Sequence, residues 1–323
     1  MEFIRENRSA FYGLAVLILI PILLPDPYII HIFILALLFG TLAMSWDLAW
    51  GYAGIFTLGH AASFGVGAYV SALLSMRIGI SPWITMFIGG ASSAFFGLII
   101  GAPCLRLRGA PYIAIATLGL SEVIRITCCN LVEITRGELG LWGIPPFPDL
   151  GPIAFRGGVR TPYYYLILTI FFISYIWLKC IVNSKLGLGF KAIAASEDAA
   201  MAIGVNISRV KLLAFAISNF IAGLCGAFYA HYILILTPAI MGVTYMTDII
   251  TMSLLGGVGT LVGPIIGLFL VTLSLEYLRV YGLARFLLYG LILIVVVIFM
   301  PEGVIIRGVK ALGKLKRSIK SWA

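Results

Sequence analysis

Long apolar segments separated by short polar connections run through most of the chain. A helix of about 20 apolar residues crosses the core of a bilayer. It can do so because its backbone groups are hydrogen-bonded within the segment. Nine segments of this character predict membrane helices: residues 11–24, 29–49, 58–76, 83–101, 112–131, 163–181, 212–236, 245–275 and 286–300. The first follows a basic leader, but no small-residue cleavage site comes after it, so we interpret it as a retained span.

The eighth segment contains the interruption Gly-Gly-Val-Gly-Thr-Leu-Val-Gly-Pro at residues 256–264. Because Gly and Pro interrupt helices, we expect this segment to enter the membrane and return as two shorter helices. The count becomes about ten hydrophobic helices, with both termini cytoplasmic. Of the 22 Lys and Arg residues, 15 then lie inside, six lie outside and Arg125 lies within a span. Basic loops favour the inside of a membrane, so the distribution supports this topology.

The predicted fold is an all-α polytopic membrane protein. Residues 1–304 form the transmembrane domain, with an external loop at 132–162 and a cytoplasmic loop at 183–211. Residues 305–323 form a basic amphipathic cytoplasmic tail, in which Lys310, Lys314 and Arg317 share one helical face opposite an apolar face. That pattern is typical of a helix lying on an anionic membrane surface.

Composition excludes the soluble classes of protein. Hydrophobic residues make up 61%, charged residues 11%, and the mean hydropathy is +1.09, whereas soluble domains carry about 25% charged residues. The net charge of +9 is accounted for by the inside loops and the tail, so nucleic acid is not implied. Five cysteines without a C-x-x-C pair and three widely separated histidines predict neither a disulfide framework nor a metal site.

Residues 308–315 come close to a nucleotide-binding P-loop but do not complete it. Leu315 stands where the motif needs Ser or Thr to ligate magnesium, and no strand precedes the segment. We therefore expect no ATP-binding site and no catalytic residue in this chain.

Two ionisable residues lie within one predicted span. Glu122 and Arg125 are three residues apart, so they share a helix face and partly neutralise each other. Charged groups at membrane depth are functional candidates. The pair is either a polar point on a transport route or an inter-subunit contact, or it locks helix packing, which is the interpretation that we prefer.

Two glycine-rich interruptions occupy corresponding places in the two halves of the chain, at 51–67 and 256–267. Interrupted helices in repeated halves indicate a transport path, although small residues also allow close helix packing. Gly256, Gly257 and Gly259, together with His60, are therefore candidates for the path or its gate. We expect His60, in the first interruption, to bond backbone carbonyls that the break leaves free.

The cytoplasmic loop contains a short motif, Glu197-Asp198-Ala199-Ala200-Met201-Ala202-Ile203-Gly204. Small residues allow a partner's backbone to approach, and Gly204 allows the helix to end. The motif predicts either a docking helix or an amphipathic loop helix without a partner.

The acid-Ala-Ala-x-x-x-Gly pattern resembles the cytoplasmic-loop motif of permease subunits of ATP-binding-cassette importers. The chain resembles in particular the branched-chain amino acid permeases, and among them the LivM-type subunit, from about residue 38 to residue 303. The matching stretches are Gly51-Tyr52-Ala53-Gly54, Leu58-Gly59-His60-Ala61-Ala62, Leu105-Arg106-Leu107-Arg108-Gly109, Ala114-Ile115-Ala116-Thr117-Leu118-Gly119 with Glu122, Gly143-Ile144-Pro145, Leu212-Leu213-Ala214-Phe215, Ala222-Gly223-Leu224, and Leu255-Gly256-Gly257-Val258-Gly259-Thr260.

This resemblance implies a permease subunit in the inner (cytoplasmic) membrane that imports branched-chain or related amino acids. It implies four partners: a homologous LivH-type permease, two ATP-binding subunits that hold ATP and magnesium, and an extracytoplasmic substrate-binding protein. Glu197, Asp198, Ala199, Ala200 and Gly204 are then the ATPase-coupling residues. A permease for urea or another small solute and an ion-coupled secondary transporter stay open as alternatives. Arg136-Gly137 stands where the family often has Gly-Gly, on the side that would meet the binding protein.

Overall fold

The computed structural model describes residues 8–104, 107, 109–151, 154–155 and 159–277, and the isolated positions 282, 287, 290, 291, 294 and 298. Side chains are described from residue 16 onwards, apart from those of residues 273 and 275. The prediction of a tail at 305–323 lies outside the described residues, as does most of the predicted span 286–300.

The described chain is mainly helical. The helices are α1 (Arg8–Leu23), α2 (Pro27–Asp47), α3 (His60–Leu73), α4 (Pro82–Cys104), α5 (Ala110–Asn130), α6 (Val132–Thr135), α7 (Thr161–Val182), α8 (Lys185–Ala195), α9 (Glu197–Ala202), α10 (Ile207–Ile233), α11 (Val243–Gly256) and α12 (Gly263–Tyr277). Helices α2 and α3 each continue in a π-helical turn, Leu48–Tyr52 and Leu74–Ile78.

Six segments of the described chain are long and apolar enough to cross a membrane: Pro27–Tyr52, His60–Ile78, Pro82–Cys104, Ala110–Asn130, Thr161–Val182 and Ile207–Ile233. Each coincides with a segment expected from the apolar pattern, so a polytopic helical membrane protein is confirmed. The full helix count and the orientation of the termini stay predictions.

Helix α10 lies at the centre of the bundle and packs against α2, α3 and α4. Glycines make this packing possible, since a Cβ atom on Gly226 would overlap the carbonyl oxygen of Phe64, and one on Gly223 would lie 2.7 Å from the carbonyl oxygen of Gly89. Small residues let helix backbones approach in a bilayer, where helices gain no hydrophobic driving force from one another. The small-residue packing expected from the sequence is therefore present.

The predicted interruption of the eighth apolar segment is confirmed. Helix α11 ends at Gly256 and α12 begins at Gly263, and the two pack against each other in opposite directions, since Gly256 meets Gly263 and Gly267 meets Met252. A Cβ atom on Gly267 would overlap the carbonyl oxygen of Met252. Helix α11 has 14 residues, which is shorter than the apolar stretch that spans a bilayer.

The described part of the 132–162 loop is folded onto the ends of the bundle. Strand β1 (Leu141–Trp142) pairs antiparallel with β2 (Ile235–Leu236), which directly follows α10. His231 of α10 binds the loop as well, with Nδ1 2.7 Å from the carbonyl oxygen of Pro145, while its Nε2 lies 2.9 Å from Ser71 Oγ of α3. The described part of the loop therefore packs against the ends of the helices.

Candidate functional site

The 183–211 loop is built by three side-chain caps. Ser184 Oγ accepts from the backbone N–H of Leu186 at the start of α8, and Asn206 Oδ1 accepts from Arg209 at the start of α10. Between them, Ser196 has extended backbone angles that end α8, and its Oγ accepts from the N–H of Ala199 at 3.3 Å. Each cap satisfies a backbone donor that the first turn of a helix leaves free.

One face of helix α9 is exposed, and Ala200 on the other face is buried. Asp198 and Ala199 are exposed, as are the apolar side chains of Met201 (52%) and Ile203 (75%), whereas Ala200 is 1% exposed. Gly204 has a φ of +83° and reverses the chain toward α10. Of the two adjacent alanines in the motif, Ala199 can therefore meet a partner, and Ala200 packs on the rest of the loop.

An ion pair holds α9 against α10. Lys211 Nζ lies 2.6 Å from Glu197 Oε1, and the lysine side chain is 3% exposed against 48% for the glutamate. Because a buried ammonium needs a counter-charge, Glu197 holds the loop rather than presenting a free carboxylate. The apolar pattern alone did not indicate this pair, and its one signal in the sequence is a lysine at the edge of an apolar segment.

Helix α8 joins this loop to the first glycine interruption. A Cβ atom on Gly54 would lie 3.1 Å from the Cα atom of Ala194, so the two backbones are in close contact. Lys191 Nζ of α8 lies 6.0 Å from the centre of the Tyr52 ring. A displacement of α8 would therefore act directly on the chain that follows α2.

The chain from Ala53 to Gly59 is unwound, and neighbouring helices satisfy part of its backbone. Trp46 Nε1 donates to the carbonyl oxygen of Thr57 at 2.8 Å, and the N–H of Leu58 donates to Thr117 Oγ1 of α5 at 3.0 Å. Irregular backbone within a membrane is tolerated where protein surrounds it. His60, which we expected in this role, instead places Nε2 2.8 Å from Ser45 Oγ of α2 and is 1% exposed.

The two glycine interruptions meet at a contact that we call the glycine junction, formed by Asp47, Gly51 and Gly259. Asp47 Oδ1 accepts from the N–H of Gly259 at 2.8 Å, and Asp47 is fully buried. A Cβ atom on Gly51 would overlap Asp47 and the backbone of Gly259, and Gly259 itself has a φ of +77°. Gly256 and Gly257 lie at the end of α11 that leads into this contact.

Glu122 and Arg125 form an ion pair on the side of α5 that faces away from the helix bundle. Arg125 Nε donates to Glu122 Oε1 at 2.8 Å, and the side chains are 30% (Arg125) and 39% (Glu122) exposed. The hydrogen bonds of both side chains within the described chain stay inside α5. Among the described residues, the pair therefore makes no hydrogen bond from α5 to another helix, and whether it locks helix packing stays a prediction.

These features together define a polytopic membrane protein with two interrupted helical regions in contact and a folded loop reaching them from one side. Residues 28–300 match the model of a family described as "Branched-chain amino acid transport system / permease component". The chain belongs to this family.

Three relatives show the range of the resemblance. The chain is 28% identical to the high-affinity branched-chain amino acid transport permease LivM of Escherichia coli K12, over 84% of this chain and 68% of the relative. It is 23% identical to LivH of the same organism, over 83% and 91%. It is 26% identical to the guanosine ABC transporter permease NupQ of Bacillus subtilis, over 56% and 60%. No solved structure matches the chain.

Proposed function

We propose that this chain is a permease subunit of an ATP-binding-cassette importer in the cytoplasmic membrane, and that it moves branched-chain or related amino acids inward. Family membership over residues 28–300 is the observation that carries the proposal. The similarity to both LivM and LivH supports a homologous second permease as partner. Two ATP-binding subunits, which hold ATP and magnesium, and an extracytoplasmic binding protein complete the assembly.

The basic residues support an arrangement of about ten helices with both termini inside. The 183–211 loop then faces the cytoplasm with Lys185, Lys191 and Arg209, and the 132–162 loop faces outward. Lysine and arginine in short loops favour the cytoplasmic side.

The exposed face of α9 is the surface that we assign to the ATP-binding subunit. It combines an acidic residue, a small residue and two exposed apolar side chains: Asp198, Ala199, Met201 and Ile203. Its caps and the ion pair with Lys211 hold it in one orientation. Movement of an ATPase would pass through α8 and Gly54 to the glycine junction, which we propose as part of the gate.

The side of α5 that faces away from the bundle is the surface that we assign to the second permease, or to a water-filled path between this chain and the second permease. Helix α5 is the least buried of the six described spans. Charged residues at the centre of a membrane helix cost about 2.5–3.5 kcal/mol each in insertion scales. Glu122 and Arg125 are therefore unsuited to lipid and favour a protein-facing or wet surface.

A matched pair of arginine substitutions tests the docking surface. We expect Ala199→Arg to abolish leucine uptake by the reconstituted five-component system and to reduce co-purification of the ATP-binding subunits. Ala154→Arg, in the opposite loop at an exposed position, makes the same change of charge and should leave co-purification unaltered. Ala200→Arg is unsuitable because the buried position would disturb the loop itself. Normal uptake by the Ala199 variant would overturn the docking role.

Two further measurements separate the alternatives. Uptake by liposomes that contain the purified chain without ATP-binding subunits would establish a secondary transporter and refute the proposal. Competition of leucine uptake by guanosine and by urea separates the possible substrates, since one relative of the chain is named as a guanosine permease.

A further inference from the structure

Helix α5 carries two opposite charges side by side near the middle of its length. Glu122 is the thirteenth of its 21 residues and Arg125 is the sixteenth. At a rise of 1.5 Å per residue, these positions are about 3 Å and about 8 Å from the midpoint of the helix. Both side chains are partly exposed, at 39% and 30%. Charged groups are costly against lipid at this depth, so this side of α5 is suited to water or to polar groups.

The ion pair leaves one acceptor and one donor nitrogen available. Arg125 Nε and Nη2 both donate to the same oxygen, Glu122 Oε1, the first of them at 2.8 Å. Among the described residues, Glu122 Oε2 accepts no hydrogen bond, and Arg125 Nη1 contacts Cys129 Sγ at 3.9 Å. Both carboxylate oxygens can accept, and a guanidinium has five N–H donors. Each partner can therefore bind a second group without breaking the pair.

A ligand that satisfies both groups must carry opposite charges close together. An ammonium would donate to Glu122 Oε2, and a carboxylate would accept from Arg125 Nη1. The ammonium and the carboxylate of an α-amino acid are attached to the same carbon, so they can reach two protein groups that are themselves in contact. Hydrogen bonds between such charged groups are the strong ones. The site is electrically neutral with and without this ligand, which avoids an isolated charge within the membrane.

Other ligands match the pair less well. A singly charged side chain from a partner helix would use the carboxylate or the guanidinium and leave the other group unused. A zwitterionic lipid carries both charges, but its headgroup lies at the membrane surface, whereas Glu122 is near the middle of the span. Guanosine and urea carry no charge at neutral pH. The pair therefore favours a free amino acid over the other small solutes.

An open space adjoins the pair on the same face of α5. Gly119 lies one turn before Glu122, and a Cβ atom added there would have no other atom within 4 Å. Residues three or four apart are neighbours on a helix surface, so the space at Gly119 lies beside the carboxylate. Ile115, which is 69% exposed, follows one turn further along the same face. An aliphatic side chain of a bound amino acid would fit over Gly119 and contact Ile115.

We propose that Glu122 and Arg125 recognise the zwitterionic head of an apolar α-amino acid during its passage through the membrane. The ammonium binds at Glu122, the carboxylate binds at Arg125, and the apolar side chain lies over Gly119. The inference rests on the proposed function, which gives the chain an amino acid to move. It assigns this side of α5 to the transport path rather than to a contact with the second permease. The pair then acts after the substrate has left the binding protein.

The test uses the complete importer in proteoliposomes with radiolabelled L-leucine, and it measures uptake and ATP hydrolysis together. The double variant Glu122→Gln/Arg125→Gln removes both charges, so neither residue is left as an unpaired charge in the membrane. We expect the maximal rate of leucine uptake to fall by about tenfold or more. The rate of ATP hydrolysis and the concentration of binding protein that gives half-maximal uptake should stay at their native values, because the pair acts after docking.

Thr127→Val is the matched control. It removes a polar group from another exposed position of α5, where the hydroxyl donates to the carbonyl oxygen of Val123 in the same helix. This variant should take up leucine at the native rate.

A charge exchange separates substrate recognition from a packing role. Glu122→Arg/Arg125→Glu keeps an ion pair at the same place but reverses its direction, which would point the side chain of the amino acid away from Gly119. We expect uptake to stay about tenfold or more below the native rate. A pair that only locks helix packing would instead regain native uptake.

A substitution at Gly119 tests where the apolar side chain lies. Gly119→Val fills part of the open space, and the leucine side chain is longer than that of valine by one methylene group. We expect this variant to reduce leucine uptake by about threefold or more relative to valine uptake. Equal loss of leucine and valine uptake would contradict the placement over Gly119.

Three results would overturn the inference as a whole. The first is native leucine uptake by the double glutamine variant or by the charge-exchange variant. The second is loss of the second permease when the double glutamine variant is purified, which would assign the pair to that interface. The third is an equal fall of uptake and ATP hydrolysis, which would assign the pair to coupling with the ATPase. All three leave the proposed function intact, whereas failure of the native complex to import any amino acid would refute the proposed function itself.

Discussion

The ion pair between Glu197 and Lys211 predicts that removal of either partner has a different cost, because the two side chains differ in burial. The lysine is buried and the glutamate is half exposed, at 3% and 48%, with 2.6 Å between Nζ and Oε1. Removal of the glutamate leaves an ammonium buried without its counter-charge. Removal of the lysine leaves a carboxylate that water can solvate. The two deletions should therefore have different costs although they break the same contact.

The magnitudes follow from burial. Breaking a fully buried pair by removing one partner costs about 3–5 kcal/mol, whereas an exposed pair contributes about 0–1 kcal/mol. Because water reaches one partner here, we expect Glu197→Ala to lower the local opening free energy of the loop by about 2 kcal/mol. Lys211→Met, which keeps length and removes a buried charge, should cost less than about 1 kcal/mol. The double variant should resemble Lys211→Met, with a coupling energy of about 2 kcal/mol.

Hydrogen exchange measured by mass spectrometry over residues 185–211 reports this local free energy. Lys185→Met is the control, since Lys185 is an exposed lysine in the same loop and should leave protection unaltered. Equal costs for Glu197→Ala and Lys211→Met, or additive effects in the double variant, would refute the assignment of Lys211 as a buried cation held by Glu197.

Two further predictions concern the glycine contacts, and both are measured as unfolding free energies of the purified chain in detergent. Asp47→Ala should cost about 1 kcal/mol because the partly buried N–H of Gly259 loses its acceptor. Asp47→Asn, which keeps a carbonyl oxygen, should cost less, and equal costs would exclude the hydrogen bond as the cause. Gly267→Ala should cost about 1–3 kcal/mol or more through overlap with the Met252 carbonyl. Gly119→Ala is the control, because no atom lies near a Cβ added at this position of α5, and it should be neutral or stabilising by up to about 1 kcal/mol. A comparable loss of unfolding free energy at Gly267 and Gly119 would contradict the packing argument.

The membrane helices could be predicted because the bilayer imposes a length on each apolar segment. Residues 163–181 and 212–236 were expected as spans, and α7 and α10 contain nearly all of them. The interruption after Gly256 could be predicted equally well, since Gly and Pro act on the local backbone. Both are local properties of the sequence, and neither requires knowledge of a distant contact.

The contacts within the candidate site could not be predicted in the same way. Asp47 and Gly259 are separated by 212 positions in the chain, and no local pattern connects them. Helix α9 has six residues, too few for periodicity to show that Ala200 lies inward and Ala199 outward. Helix α5 is apolar on most sides, so its pattern gave no indication that Glu122 would face away from the bundle.

The nature of the contacts indicates how movement would pass from the loop to the glycine junction. At Gly54 the backbone of Ala194 and at Gly51 the backbone of Gly259 approach closely, and the side chain of Asp47 also lies against Gly51. Closely packed interfaces of this kind do not deform continuously; they shift between discrete arrangements. A force on α9 would therefore move α8 and the chain after α2 as one unit, and the hydrogen bond from Gly259 to Asp47 would either travel with them or break. Because that bond joins the two interrupted regions, the state of the junction and the position of the loop should change together.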